Sequence, residues 1–224
     1  MATADAQHAT ISDRVDELHR GMAGQMPDEV LAAFGAEQAG LDARGLPAGV
    51  ATPGAELPDA RLLDVHGAST TLADTIAGRT AVVVLYRGAW CPYCNLTLRA
   101  YQEDLAPTLQ QRGTALVAIS PQKPDGSLTT QQKNDLSFTV LSDPGNQVAT
   151  ALGVLTAPTD DARAAQRTVG LDLPDANADG GYGLPMPTVA VVDTTGTIRW
   201  IDVHPNYTTR TEVADILTAL DALP

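Results

Sequence analysis

The chain has 224 residues, 44% of them hydrophobic and 18% charged. That is enough for one domain of roughly 150 residues with a full core plus accessory structure, and it excludes a disordered, collagen-like or disulfide-stapled chain. Lys and Arg number 14 against 27 Asp and Glu, a formal net charge of −13, and this field repels phosphate backbones and anionic lipid, so no nucleic-acid partner is expected.

In chain order, residues 1–45 read as a helical hairpin. Ile11, Val15, Leu18 and Met22 recur near the helical period, as do Val30, Leu31, Phe34 and Leu41, with Pro27-Asp28-Glu29 as a start and Gly45 as a stop. The opening MATADAQHATISDRVDELHR lacks the basic and apolar regions of a secretory signal, so a cytoplasmic location is expected. Residues 46–57, LPAGVATPGAEL, form an aperiodic connector. From 58 to 224 strands and helices alternate. The first unit is a strand at 81–86 (AVVVLY), a helix over about 94–112 and a strand at 113–120 (GTALVAIS). The apolar runs fall far short of the ~20 residues needed to cross a bilayer, and predict strands covered on both faces. A short helix over 127–136, a strand at 138–141 and helices at 146–152 and 160–169 follow. A Gly- and Pro-punctuated loop, LDLPDANADGGYGLPMP, comes next, then the pair TVAVVD and TIRWID joined by the turn Asp193-Thr-Thr-Gly196, and a last helix over about 211–223. The fold class is α/β, with a helical extension of 1–45 before the main domain.

Both cysteines lie in VVVLYRGAWCPYCNLTL, between the apolar strand and the helix. In a reducing compartment C-x-x-C spacing points to redox or metal chemistry rather than a permanent bridge. A cysteine where a strand ends and a helix begins meets unpaired backbone N–H groups and the positive end of the helix dipole, which favours thiolate; Cys91 is therefore the expected nucleophile. Cys94 lies one helical turn on, close enough for a disulfide after modest movement. Pro92 suits the first helical turn and stiffens the loop presenting Cys91. Arg87, four residues before Cys91, is expected to stabilise a thiolate or steer a peroxide oxygen; its alternative is a structural ion pair. A zinc site needs about four ligands, and only His8, His19, His66 and His204 remain to supply them, scattered along the chain and expected to be solvated. No metal and no bound cofactor are therefore expected.

In that order, the segments LYRGAWCPYCNLTLRAYQ, LVAISPQKPDGSL, LSFTVLSDPGNQVATALGV, LPMPTVAVVDTTGTIRW and NYTTR resemble the thioredoxin-like superfamily. They fit its peroxiredoxin-like branch, the alkyl hydroperoxide reductase and thiol-specific antioxidant group, over most of 8–220. The resemblance implies a thioredoxin-like fold, a central mixed sheet flanked by helices. It implies that Cys91 reduces hydrogen peroxide or an organic hydroperoxide and becomes a sulfenic acid. Cys94 then closes a disulfide, which an external dithiol such as thioredoxin reduces. It also implies that Pro187 is a cis-proline whose loop faces Cys91. The chain departs from the group's P-x-x-x-T-x-x-C motif: the Thr position is Gly88 and the Pro position Val84, and Pro187 falls where the group has an arginine near the penultimate strand. Arg87 is the candidate substitute. Trp90 and Tyr93 either wall a peroxide pocket, contact a reductant or simply pack. No chemistry attaches to Tyr207 and Arg210. The alternatives to a peroxidase are a thiol-disulfide oxidoreductase acting on protein disulfides and a non-enzymatic redox sensor. The helical extension either covers an edge of the domain or makes a contact in a homodimer.

Overall fold

The computed structural model describes residues 9–22 and 24–223. Two helices come first, α1 (Ile11–Met22) and α2 (Asp28–Arg44). Pro27 precedes α2, and Gly45 ends it at φ 62°, a backbone conformation that a side chain resists. The main body then runs β1 (Arg61–Leu63), β2 (Ser69–Thr71), α3 (Leu72–Ile76), β3 (Ala81–Leu85) and α4 (Pro92–Ala100). A π turn at Tyr101–Leu105 carries α4 into α5 (Ala106–Gln111). Next come β4 (Ala115–Ser120), α6 (Pro124–Lys133), β5 (Thr139–Ser142), α7 (Gln147–Ala151), β6 (Leu155–Thr156), α8 (Asp160–Thr168) and α9 (Leu173–Ala176). The chain closes with β7 (Leu184–Pro185), β8 (Thr188–Val192), β9 (Ile198–Val203) and α10 (Val213–Asp221).

Seven strands form one mixed sheet in the order β2-β1-β5-β4-β3-β8-β9, and β6 pairs with β7 apart from it. β3, β4 and β5 are parallel, while β1, β8 and β9 run antiparallel to their neighbours. Every residue of β3 and of β4 is buried, as continuous apolar runs require when both faces of a sheet are covered. The two-residue alternation of β3 then divides the core. Val82, Val84 and Tyr86 join Leu98, Tyr101, Leu105 and Ile216 on one face, and Ala81, Val83 and Leu85 join Leu72, Ile76 and Val148 on the other. This is the mixed, helix-flanked sheet of the thioredoxin-like class.

The helical hairpin is fastened over the first of these faces. Ile11 and Val15 of α1 and Leu41 of α2 are buried in that cluster. The Glu212 carboxylate accepts the Ile11 and Ser12 backbone N–H groups at 2.9 Å each, capping α1 from 200 residues away. Arg14 reaches Glu103 and Asp104 on the π turn, both at 2.9 Å. α2 packs along α8, where Glu37 accepts the Thr159 N–H at 3.3 Å. The extension covers the end of the sheet at which the central parallel strands finish, and ligands bind at that end in open α/β sheets.

Candidate active site

Tyr86 and Arg87 leave the carboxyl end of β3, and the next residues turn the chain into α4. Cys91 is the cap residue of α4, extended at φ −84° and ψ 114°, with Pro92 in the first turn and Cys94 one turn on. The loop between is braced from several sides. Gln122 accepts the Ala89 N–H at 2.8 Å and donates to the Tyr86 hydroxyl at 2.9 Å; Asn95 donates to the Ala89 carbonyl at 2.7 Å, and Asn134 donates to Asn95 at 3.0 Å. A loop so held presents its cysteine in one orientation, which chemistry on a single sulfur needs. Gln122 and Asn134 carried no signal in the sequence, because Gln122 lies 33 and 36 residues from Ala89 and Tyr86, and Asn134 39 residues from Asn95.

Both cysteines are free thiols and both are buried, each 1% exposed. They differ in what they face. Cys91 lines a pocket of about 490 Å³ together with Arg87, Trp90, Pro92, Tyr93 and Tyr207. Cys94 does not reach that pocket and borders a cavity of only about 10 Å³ beside Pro187 and Arg210. Cys94 Sγ receives the Arg87 backbone N–H at 3.4 Å and Arg210 Nη2 at 3.5 Å. The Arg210 guanidinium is itself fixed by the Tyr207 and Thr209 carbonyls.

These contacts bear on where the negative charge of the pair rests, which the sequence places on Cys91 at the helix start. Burial pushes the Cys91 thiol up, and its hydrogen bond to Cys94 and the neighbouring Cys94 charge push it further; Arg87 and Arg210 oppose this too weakly. Burial opposes ionisation of Cys94 as well. There the hydrogen bond from Cys91, the Arg210 charge, the Arg87 N–H and the Arg87 charge together win, and Cys94 is held below the ordinary thiol range. The pair thus titrates as a unit, and the geometry favours the thiolate on Cys94, the sulfur that takes both donors.

The Arg87 side chain is buried with its guanidinium carbon 3.8 Å from the Tyr207 ring centroid and 5.2 Å from that of Trp90. Among the described residues no carboxylate lies within ion-pair distance of it. The ion-pair alternative for Arg87 therefore gives way to a desolvated cation held between two aromatic faces at the pocket. Trp90 and Tyr93 both line the pocket. The Tyr93 hydroxyl meets His19 Nε2 of α1 at 2.8 Å, and His19 is otherwise exposed, as expected of a solvated histidine. His204 also has partners, Asp202 at 2.9 Å and Thr209 at 2.8 Å, in the loop network that carries Arg210. His66 is exposed, and His8 lies outside the described residues. Among the described residues no cluster of three or more His, Cys, Asp or Glu could hold a metal.

Two further expectations change. The peptide bond before Pro187 is trans, as is every peptide bond among the described residues. Met186 N–H donates to the Val154 carbonyl at 2.8 Å, Thr188 Oγ1 to the Met186 carbonyl at 2.9 Å, and His204 N–H to the Pro187 carbonyl at 2.9 Å. Together they keep the segment extended into the β8 register, in the isomer favoured by about 0.5–1 kcal/mol. Pro187 faces Cys94 and Arg210 rather than the Cys91 pocket. Gly88 is explained by Trp90. At φ 151°, a Cβ on residue 88 would stand 2.5 Å from Trp90 Nε1, so the indole occupies the space of the missing side chain. The indole N–H is buried there without a partner among the described residues. Gly88→Thr is expected to evict Trp90 and to cost about 1–3 kcal/mol of stability, read as a lowered urea midpoint with a red-shifted tryptophan emission.

The sequence pattern of the AhpC/TSA family matches residues 53–201, two thirds of the chain. The chain belongs to the AhpC/TSA family. A Mycobacterium tuberculosis protein assigned as a peroxiredoxin is 35% identical over 102 residues, which are 46% of this chain and 64% of that protein. A Haemophilus influenzae protein with the same assignment is 32% identical over 101 residues, 45% of this chain and 64% of that protein. The alignments therefore span just under two thirds of these curated relatives. Among solved structures, reduced Prx3 of Vibrio vulnificus in complex with hydrogen peroxide superposes at a TM-score of 0.61 and 18% identity, over 76% of this chain and 99% of that one. Peroxidoxin BcpB from Mycobacterium tuberculosis gives 0.57 at 20% identity, over 77% and 97%. At these identities the likeness is one of AhpC/TSA fold. The hairpin residues on the site lie before the stretch that matches the family, and Tyr207 and Arg210 lie after it.

Proposed function

We propose that this chain is a thiol-dependent peroxidase in which Cys91 attacks a hydroperoxide and Cys94 resolves the product. The observation that carries the reading is the division of labour between the two sulfurs. Cys91 holds the proton but faces the pocket; Cys94 holds the charge but faces protein. As Cys91 Sγ attacks the terminal peroxide oxygen, its proton passes to the Cys94 thiolate along their hydrogen bond, and the O–O bond breaks. The leaving oxygen takes the electron pair and a proton from solvent, and departs as water or an alcohol. Arg87, whose side chain lines the pocket, binds the peroxide and stabilises that developing negative charge in a water-poor site. Cys94 Sγ then displaces hydroxide from the Cys91 sulfenic acid, giving a Cys91–Cys94 disulfide and water, and an external dithiol of the thioredoxin kind returns both thiols. No prosthetic group enters the cycle. The peroxide complex of the Vibrio vulnificus neighbour and the family membership support this reading. The roof formed by the hairpin opposes the alternative, since a folded protein disulfide cannot reach Cys91 without displacing α1 and α2.

Mixing the reduced chain with one equivalent of tert-butyl hydroperoxide should yield, by intact mass, a product lighter by two hydrogens, with one equivalent of alcohol released. Slow reaction with peroxide alongside fast reduction of a protein disulfide would replace the proposal by a thiol-disulfide oxidoreductase.

A further inference from the structure

The peroxidase cycle leaves one proton without a carrier. The oxygen that departs as the O–O bond breaks takes the electron pair, while the Cys91 proton moves the other way, to Cys94. Hydroxide and alkoxides leave poorly, since water titrates only near about 15.7, so a proton must reach that oxygen as the bond breaks. Few groups lining the pocket can give one. Arginine does not release its proton, and the amides of Gln38 and Gln166 do not titrate. Two phenols line the pocket. The Tyr207 ring is stacked on the Arg87 guanidinium, and the groups acting on its hydroxyl are Glu37 and Gln38 of α2, which give it no titrating contact with water. Tyr93 is placed differently. It follows Cys91 by two residues, lines the same pocket, and has its hydroxyl 2.8 Å from His19 Nε2. His19 is exposed, so its ring exchanges protons with water. Burial and then the neighbouring Cys91 push the Tyr93 phenol up, against Arg210 and Arg87, so it carries its proton at neutral pH.

We infer, on the peroxidase reading, that Tyr93 is the general acid for the leaving oxygen and that His19 carries its proton in from solvent. In the tautomer with the proton on Nε2, His19 donates to the Tyr93 oxygen and leaves the phenol O–H free to donate into the pocket. As the O–O bond breaks, that O–H gives its proton to the leaving oxygen, directly or across one water, and water or an alcohol departs. His19 then takes a proton from solvent at Nδ1 and passes its Nε2 proton to the phenolate, which restores the pair. The phenol sits on α4 beside the nucleophile, whereas its proton source comes from the hairpin, before the stretch that matches the family.

A leaving group that needs no proton separates this role from packing. Peracetic acid oxidises a thiol by the same displacement but releases acetate, a carboxylate that is stable without a proton at neutral pH. Second-order rate constants for oxidation of the full reduced chain are measured with hydrogen peroxide, tert-butyl hydroperoxide and peracetic acid. Tyr93→Phe keeps the ring and is expected to lower the ratio of the tert-butyl hydroperoxide to the peracetic acid rate constant by about a hundredfold, the scale of general acid catalysis. Hydrogen peroxide should follow tert-butyl hydroperoxide. His19→Ala is expected to lower the same ratio by about tenfold, and imidazole added to the solution should restore most of it, because the position is open to water. Variants that slow all three oxidants in proportion would mark a packing role and overturn the inference, as would a Tyr93→Phe ratio equal to the parent's. A His19→Ala ratio that imidazole does not raise would overturn the relay. A parent chain that reacts with tert-butyl hydroperoxide no faster than a free thiol defeats the peroxidase reading and the relay with it; fast parent rates with an unmoved ratio defeat the relay alone.

Discussion

Cys91→Ser is expected to abolish hydroperoxide consumption altogether, a loss of at least about a thousandfold, because the only thiol that lines the pocket among the described residues is gone. Cys94→Ser is expected to behave differently on two counts. The first oxidation slows by about tenfold to a hundredfold, since the proton on Cys91 loses its thiolate acceptor and a general base is worth about that much or more. The reaction then halts at a stable sulfenic acid, seen by intact mass as the gain of one oxygen. Variants that react equally fast, or a Cys91→Ser protein that still consumes peroxide at one equivalent, would sink the assignment of roles. The prediction follows from geometry rather than charge. A rule that equates the nucleophile with the more acidic thiol would pick Cys94, which borders a cavity of about 10 Å³ and has no path to the pocket.

Arg210→Met is expected to move the pH dependence of the reaction. Arg210 Nη2 lies 3.5 Å from Cys94 Sγ, and its charge helps hold that thiol below the ordinary range. A free thiol titrates near about 8.5, so in the parent chain the thiolate-bearing pair persists well below that pH and the rate holds its plateau into mildly acidic solution. Removing the cation disfavours the thiolate, so the Cys94 pKa rises and the acid limb of the profile moves to higher pH, by about one pH unit or more. At pH 6 the rate of Cys91 oxidation should fall by roughly tenfold, and at pH 9, where the pair is ionised in either protein, the two should converge. Arg210→Lys retains the charge and should restore most of the acid limb, which a purely structural role for Arg210 would not do. A profile unchanged in Arg210→Met would remove Arg210 from the account.

What the sequence disclosed, and what it hid, divides along the reach of the interactions involved. The central strand at 81–86, the helix that follows the cysteines and the closing β8–β9 pair with its Asp193–Gly196 turn are local patterns of burial and turn chemistry, and they stand close to where the apolar runs place them. β1 and β2 have three residues each, too few for an alternation to register, and their pairing is set by partners rather than by composition. The π turn at Tyr101–Leu105 reads as unbroken helix because one extra residue per turn barely disturbs the period. The periodic face of α1 and α2 says that the hairpin buries something, and cannot say that it roofs Cys91. That depends on Glu212 capping α1 from 200 residues on and on His19 meeting Tyr93.

The same limit applies to the charge of the cysteine pair. A cysteine at a helix start is ionised by its local N–H groups only if water or a cation does not favour its neighbour more. At Cys94 the hydrogen bond from Cys91 and then the charge of Arg210, 116 residues further on in sequence, favour the neighbour. Gly88 is the complementary case, in which the residue is unexpected by family pattern and necessary by packing. Trp90 fills the volume, with its indole nitrogen over the backbone of residue 88.

The central claim, that the protonated, pocket-facing sulfur is oxidised first while its charged neighbour drives and then resolves the reaction, is open to one direct measurement. The reduced parent chain is treated with a tenth of an equivalent of organic hydroperoxide in excess dimedone, and the tryptic peptide spanning 88–99, GAWCPYCNLTLR, is sequenced by tandem mass spectrometry. Dimedone carried on Cys91, with untrapped peptide recovered as the Cys91–Cys94 disulfide, is the predicted result; dimedone on Cys94 would contradict it.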